Sequence, residues 1–239
     1  MPRFYCPIPL SIGNYVDLPE KVAHHIQVLR LQIGEEITLF NGEGGEFTAE
    51  ISQLAKKQAH VCITAHHQRE AEPPHAITLA QALPEGSKMD WILEKATELG
   101  ATYIQPLAAQ RCVVKLNAER AEKKHSHWEA ILIAAAEQSG RNRIPQLAPT
   151  TSFKDWITKK SDQPRILLSP RATESLAQWS QSHPHQAVTV MIGPEGGFSP
   201  EEEQLAIDQG AIALSMGPRI LRTETAGLAV LAILTQHHS

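Results

Sequence analysis

The residues that look able to do chemistry fall in two short runs towards the carboxyl end of the chain. The first is Gly193-Pro194-Glu195-Gly196-Gly197. It follows the apolar run Val188–Ile192, which reads as a central strand, and it precedes Ser199-Pro200-Glu201-Glu202. Serine as cap, proline at the first helical position and glutamate at the third start a helix with a capping box. Strand, glycine loop and helix form the arrangement in which parallel α/β sheets hold ligands at the carboxyl ends of their strands. Glycine lets the backbone approach a ligand and leaves its N–H and C=O groups open. The run is neither G-x-G-x-x-G nor a P-loop, since no Lys-Ser/Thr follows. Alone, such a run is more often a tight structural turn than a binding site.

The second run is Gly217-Pro218-Arg219-Ile220-Leu221-Arg222-Thr223-Glu224-Thr225-Ala226. Met216-Gly217-Pro218 reads as a turn, and Thr223-Glu224-Thr225 opens the last helix. Thr223 or a neighbour can cap that helix, and Glu224 suits the positive end of its dipole. Capping does not explain why Arg219 and Arg222 bracket Ile220-Leu221 between apolar elements. Two consecutive strand ends, each with a glycine turn, can make opposite walls of one cleft.

Those runs need a frame, and from Ala76 onward the chain supplies one. Strands are expected at Ala76–Ala82, Tyr103–Leu107, Arg165–Leu168, Ala187–Ile192 and Ala211–Leu214. Helices are expected at Lys88–Leu99, Ala118–Ser139, Glu174–Gln181, Pro200–Gln209 and Thr225–Gln236. Gly100, Gly140 and Gly210 stand where left-handed C-terminal caps belong. This alternation predicts an α/β domain with a mostly parallel sheet covered on both faces. The first ~70 residues differ, with a short helix over Glu20–Leu29 and then period-2 strands at Glu36–Phe40, Glu46–Ile51 and Ala59–Thr64. Asn41–Gly45 carries turn chemistry. Arg69–His75, with Pro73-Pro74, reads as a linker. The expected domains are therefore residues 1–72 and 73–239.

Hydrophobic residues make up 42% of the 239, enough for a sizeable core, and the net charge of −4 argues against coating nucleic acid by charge alone. Residues 111–143 nevertheless hold seven arginines and lysines against four glutamates, either a solvated helix face or a local basic one. Cys6, Cys62 and Cys112 are far apart and odd in number. That predicts neither a disulfide framework nor a zinc site, and suggests a reducing cytoplasm. The adjacent pairs His24-His25, His66-His67 and His237-His238 point apart on a helix or strand, so no metal is expected. The opening Met1–Pro7 does not read as a secretory leader, and no apolar run reaches membrane-spanning length.

With these features in order, the chain resembles the small-subunit ribosomal RNA uridine-N3 methyltransferases, the RsmE type of the SPOUT superfamily. The two runs carry the resemblance. It is supported by Lys88–Gly100, Gln110–Lys115, Ala135–Pro145, Ser169–Ala172 and His24–Leu31. It extends over nearly the whole chain and is weakest over Thr151–Pro164.

The resemblance implies a PUA-like β-barrel at the N-terminus, and a SPOUT methyltransferase domain ending in a deep trefoil knot. It implies a cytoplasmic homodimer that takes its methyl group from S-adenosylmethionine. The implied partner is small-subunit ribosomal RNA, free or in the assembled subunit. The expected cofactor residues are Leu168, Ser169, Gly193, Pro194, Glu195, Gly196, Gly197, Met216, Gly217, Ile220, Leu221, Thr223, Thr225 and Ala226. Uridine N3 must lose a proton to become a nucleophile, so Arg222 is the candidate to stabilise the anion, and Glu195 or Glu224 the candidate base. Either glutamate could instead hold a cofactor hydroxyl or cap a helix. Candidate RNA contacts are Arg3, Arg30, Lys88, Arg111, Lys115, Arg141, Arg143 and Arg171. The rival functions are a nucleotide-binding metabolic enzyme, which would need neither the N-terminal module nor the basic stretch, and a non-catalytic ribosome assembly factor.

Overall fold

The computed structural model describes residues 1–114, 117–184 and 186–235. The chain forms two compact units, Met1–Glu72 with Ala136–Ile144, and Pro73–Ala135 with Pro145–Ser239. The segment Ala136–Ile144, which the sequence groups with the second domain, thus belongs with the first unit.

In the first unit, β1 (Arg3–Tyr5), β2 (Tyr15–Asp17), β3 (Glu36–Phe40), β4 (Glu46–Ala55) and β5 (Gln58–His67) form one sheet in the order β1-β3-β4-β5-β2. Helix α1 (Glu20–Val28) buries Val22, Ala23 and Ile26 in the same core as Phe4, Ile37, Leu39, Ile51, Val61 and Ile63. Alternation puts Phe47, Ala49 and Ile51 of β4 and Ala59, Val61 and Ile63 of β5 inside, the pattern of a sheet with one face in water. The two three-residue strands β1 and β2 escape prediction because they are too short to show a period.

Arg3 and Arg141, expected as RNA contacts, hold this unit together instead. The Arg141 side chain is 3% exposed and grips both carboxylate oxygens of Glu72, with Nε at 2.9 Å from one. The Arg3 guanidinium pairs with Glu46 at 2.5 Å, donates to Asn142 Oδ1 at 2.7 Å and lies over the Phe40 ring. The expected linker is similarly fastened: Arg69 donates to Glu46 and to the Gly140 carbonyl, and its own carbonyl accepts from Asn142.

In the second unit, β6 (Ile77–Ala82), α2 (Lys88–Glu98), β7 (Tyr103–Ala108), α3 (Ala118–Ser139), β8 (Gln146–Leu147), β9 (Thr151–Ser152) and α4 (Phe153–Ile157) are followed by β10 (Arg165–Leu168), α5 (Leu176–Ser182), β11 (Val188–Ile192), α6 (Pro200–Asp208), β12 (Ile212–Leu214) and α7 (Thr223–Thr235). The last turn of α3 is counted in the first unit. The seven-stranded sheet runs β12-β10-β11-β6-β7-β8, with β9 also on β7, and every pairing is parallel. β6 and β11 are buried along their whole length, as central strands covered on both faces must be. Gly100 follows α2 at φ +89°, the left-handed position expected at a C-terminal cap. The capping box at Ser199 is present, with Ser199 accepting from Glu202 N–H and Glu202 from Ser199 N–H. Helix α7 begins at Thr223, so Thr223 lies in the helix rather than before it, and the expected end at Gln236 lies outside the described residues.

Breaking one side of a buried ion pair leaves the other charge uncompensated, at a cost of about 3–5 kcal/mol. Arg141→Ala is therefore expected to lower stability in urea by about 3 kcal/mol. Arg143→Ala, at an exposed position, should change it by less than about 0.5 kcal/mol. Equal effects at the two positions would contradict the structural role of Arg141.

Candidate active site

β12, β10 and β11 are neighbours and parallel, with Leu168 beside Leu214 and Leu167 beside Met191. Their carboxyl ends therefore open on one edge, and the segments that follow them surround a cavity of about 480 Å³. That is a size suited to a small-molecule ligand. Leu168, Met191, Ile192, Met216 and Leu221 supply apolar wall, while Lys88, Glu195, Arg219, Arg222 and Glu224 supply charge.

The glycine loop is shaped from within. A Cβ at Gly193 would fall 2.9 Å from Phe198 N and 3.0 Å from Gly197 Cα, so the loop closes on itself only with glycine there. Gly197 N–H donates to the Pro194 carbonyl at 2.8 Å. Gly197 and Gly217 line the cavity in the left-handed region, at φ +69° and +89°, with no atom within 4 Å of an added Cβ. The loop is also held from outside. Arg111 donates to the carbonyls of Gly196 at 2.7 Å and Phe198 at 3.3 Å. Glu202 accepts from Gln110 N–H at 2.8 Å and from Ser199 N–H at 2.9 Å.

The two candidate bases sit in different surroundings. Glu195 Oε1 accepts from Lys88 Nζ at 2.6 Å and from Glu85 N–H at 3.0 Å. Burial pushes the Glu195 carboxyl up, but the Lys88 hydrogen bond, the backbone N–H groups and the Lys88 charge together bring it below the usual carboxylate range. The same hydrogen bond raises the Lys88 ammonium. Glu224 lines the same cavity, yet its Oε2 is buried with no hydrogen-bond partner.

Among the expected cofactor residues, the structure brings together Leu168, Ser169, Gly193, Pro194, Glu195, Gly197, Met216, Gly217, Ile220, Leu221, Thr223 and Ala226 around the cavity. Gly196 and Thr225 are not among the lining residues. Gly196 faces Arg111, whose Cδ would lie 3.4 Å from an added Cβ, and Thr225 is exposed. Arg222, Glu195 and Glu224 all line the cavity.

The expected RNA contacts separate. Lys88 belongs to the cavity and Arg111 to the glycine loop. Arg171 is exposed with an ion pair to Glu203 at 3.3 Å. Arg30 and Arg143 are exposed. Lys115 lies outside the described residues. Sequence reasoning missed Met191, Phe198 and Glu203 in the lining. It also missed Gln81, whose amide donates to Thr223 Oγ1 at 3.0 Å; the available signal was a polar residue inside an apolar strand. Among the described residues no group of three His, Cys, Asp or Glu is placed to hold a metal ion, and no helix is long and apolar enough to cross a membrane.

Two family models match the chain. The RNA methyltransferase domain matches residues 71–235, and the RNA methyltransferase PUA domain matches 18–63. The chain is 32% identical to the ribosomal RNA small subunit methyltransferase E of Bacillus subtilis, over 90% of this chain and 87% of that protein. Among solved structures it is similar to a ribosomal RNA small subunit methyltransferase E from Neisseria gonorrhoeae bound to S-adenosyl methionine, with TM-score 0.90 and 41% identity over 97% of this chain and 95% of that one. A Legionella pneumophila methyltransferase in complex with the same cofactor gives TM-score 0.91 and 39% identity over 97% and 96% of the two chains. A cavity built on glycine turns at adjacent parallel strand ends, with these matches over nearly its full length, places the chain in the ribosomal RNA small subunit methyltransferase E family.

Proposed function

We propose that this protein transfers a methyl group from S-adenosylmethionine to N3 of a uridine in small-subunit (16S) ribosomal RNA. The observation that carries the proposal is the cavity at the ends of β10, β11 and β12, in a chain so similar to relatives crystallised with that cofactor. The residues fit the group. Leu168, Met191, Ile192, Met216 and Leu221 offer apolar faces to an adenine ring. Gly197 and Gly217 leave room for close backbone approach. The bound cofactor supplies a methyl group already activated on a sulfonium centre.

The protein's own residues then have two tasks, to orient the uridine and to manage its proton and charge. Arg222, exposed at the cavity, is suited to stabilise negative charge spread over O2 and O4 as N3 loses its proton. The Lys88 contact speaks against Glu195 as the base, because a carboxylate held as an anion gives up that partnership when protonated. Its better-supported task is to fix Lys88 at the cavity. Glu224 lines the same cavity and, among the described residues, no lysine or arginine pairs with its carboxylate, which supports it as the proton acceptor.

The homodimer, the trefoil knot, the cytoplasmic location and the choice of free RNA or assembled subunit as substrate belong to the same proposal. The RNA footprint includes the exposed Arg30, Arg143 and Arg171. Arg30 is also the one non-glycine residue among those described with positive φ, at +56°. That conformation ends α1, with Leu31 N–H returning to the Ile26 carbonyl at 3.2 Å, and it costs a side chain roughly 1 kcal/mol relative to glycine.

Turnover on small ribosomal subunits, measured alongside cofactor affinity, tests these roles. Arg222→Ala should keep cofactor affinity and lose roughly 10²–10³ in kcat; wild-type turnover would remove the role. Glu224→Gln should lose about 10² in kcat and Glu195→Gln far less; the reverse order would make Glu195 the base. Arg30→Gly should gain about 0.5–1 kcal/mol of stability while weakening RNA binding and lowering the salt slope by about one. Unchanged RNA affinity would take Arg30 out of the footprint.

A further inference from the structure

The Gly193 carbonyl marks the point where β11 hands over to the glycine loop. It accepts from Thr223 Oγ1, at the start of α7, at 2.6 Å. The Thr223 hydroxyl in turn accepts from Gln81 Nε2 at 3.0 Å, and the amide's other bond goes to the Ala82 carbonyl at 2.9 Å. Gln81 is 0% exposed and Thr223 6%.

The direction of this relay is set by chemistry. An amide nitrogen only donates, so the Thr223 oxygen accepts from Gln81 and its single hydrogen is left for Gly193. The relay therefore ties the end of β6, the start of α7 and the loop after β11. Gln81 is a costly choice for a buried strand, since a leucine would fill the space without desolvating an amide. Its Oε1 is indeed left buried and unpartnered. The helix lies close beside it: a Cβ on Gly227 would come within 3.3 Å of Leu79 Cδ1 and 3.5 Å of Gln81 Oε1. Gln81 is absent from the cavity lining, whereas Thr223 and Gly193 belong to it.

We propose that Gln81 and Thr223 are positioning residues, a hydrogen-bond relay that sets the glycine loop in its cofactor-binding shape through the Gly193 carbonyl. Gln81 acts through Thr223, and Thr223 through Gly193. The inference rests on the proposed S-adenosylmethionine site.

The test is calorimetric binding of S-adenosylmethionine to the full chain, with KM and kcat on small ribosomal subunits. Thr223→Val leaves the Gly193 carbonyl without its donor, and should raise the cofactor Kd and KM about tenfold. Thr223→Ser keeps the hydroxyl and should recover most of the affinity. Gln81→Leu should also weaken binding, by about three- to tenfold, from outside the cavity. The double variant should be no worse than Thr223→Val alone, because one relay cannot be broken twice. Unchanged affinity in Thr223→Val, or losses in the two variants that simply add, would overturn the relay while wild-type binding left the cofactor site standing. No binding by the wild-type protein would overturn both. Should Thr223→Val fail to fold, the serine and Gln81→Leu variants decide the matter.

Discussion

Because β12, β10 and β11 pair in parallel, each must be followed by a return across the sheet before the next can begin, and all three release the chain at one edge. That constraint makes the cavity. An antiparallel neighbour would send one of the three loops to the opposite edge and leave a wall missing. Parallel pairing also buries the central strands on both faces, and so β6 and β11 are buried throughout. It explains why polar tasks concentrate at the strand ends, where Gln81, Ser169 and Gly193 lie.

Within the cavity, environment assigns different work to similar groups. Glu195 and Glu224 are both carboxylates at the same mouth. A lysine and a backbone N–H satisfy one of them, and the other keeps a buried oxygen free. The arginines divide in the same manner. Arg222 stands exposed at the cavity, Arg111 spends its donors on two loop carbonyls, and Arg141 is sealed against Glu72. Formal charge alone would have treated all three as equivalent cations.

What was legible in the sequence follows from the same physics. Elements with a strong period or a cap were found close to their ends: α3 over Ala118–Ser139 and β10 over Arg165–Leu168 coincide with expectation, and the Ser199 box starts α6 as its chemistry requires. The box at Ser175, closed by Gln178, starts α5 at Leu176, two residues after the expected Glu174. The cavity residues were legible because glycine turns after apolar strands mark ligand loops. Gly196 and Thr225 were the exceptions, since their neighbours do line the cavity and spacing cannot say which way a single residue of a loop or first helical turn faces. The two- and three-residue strands carry no period to detect. The burial of Arg141, the clamp made by Arg111 and the Gln81 relay depend on partners 69, 85 and 142 positions away in the chain, and no local pattern announces them.

We propose that the cavity at these three strand ends serves methyl transfer to uridine N3. The most direct measurement is incubation of the protein with methyl-labelled S-adenosylmethionine and small ribosomal subunits that lack the modification, followed by digestion of the RNA and nucleoside analysis. The label is expected in 3-methyluridine. Label in any other nucleoside, or none in the RNA, would contradict the proposal.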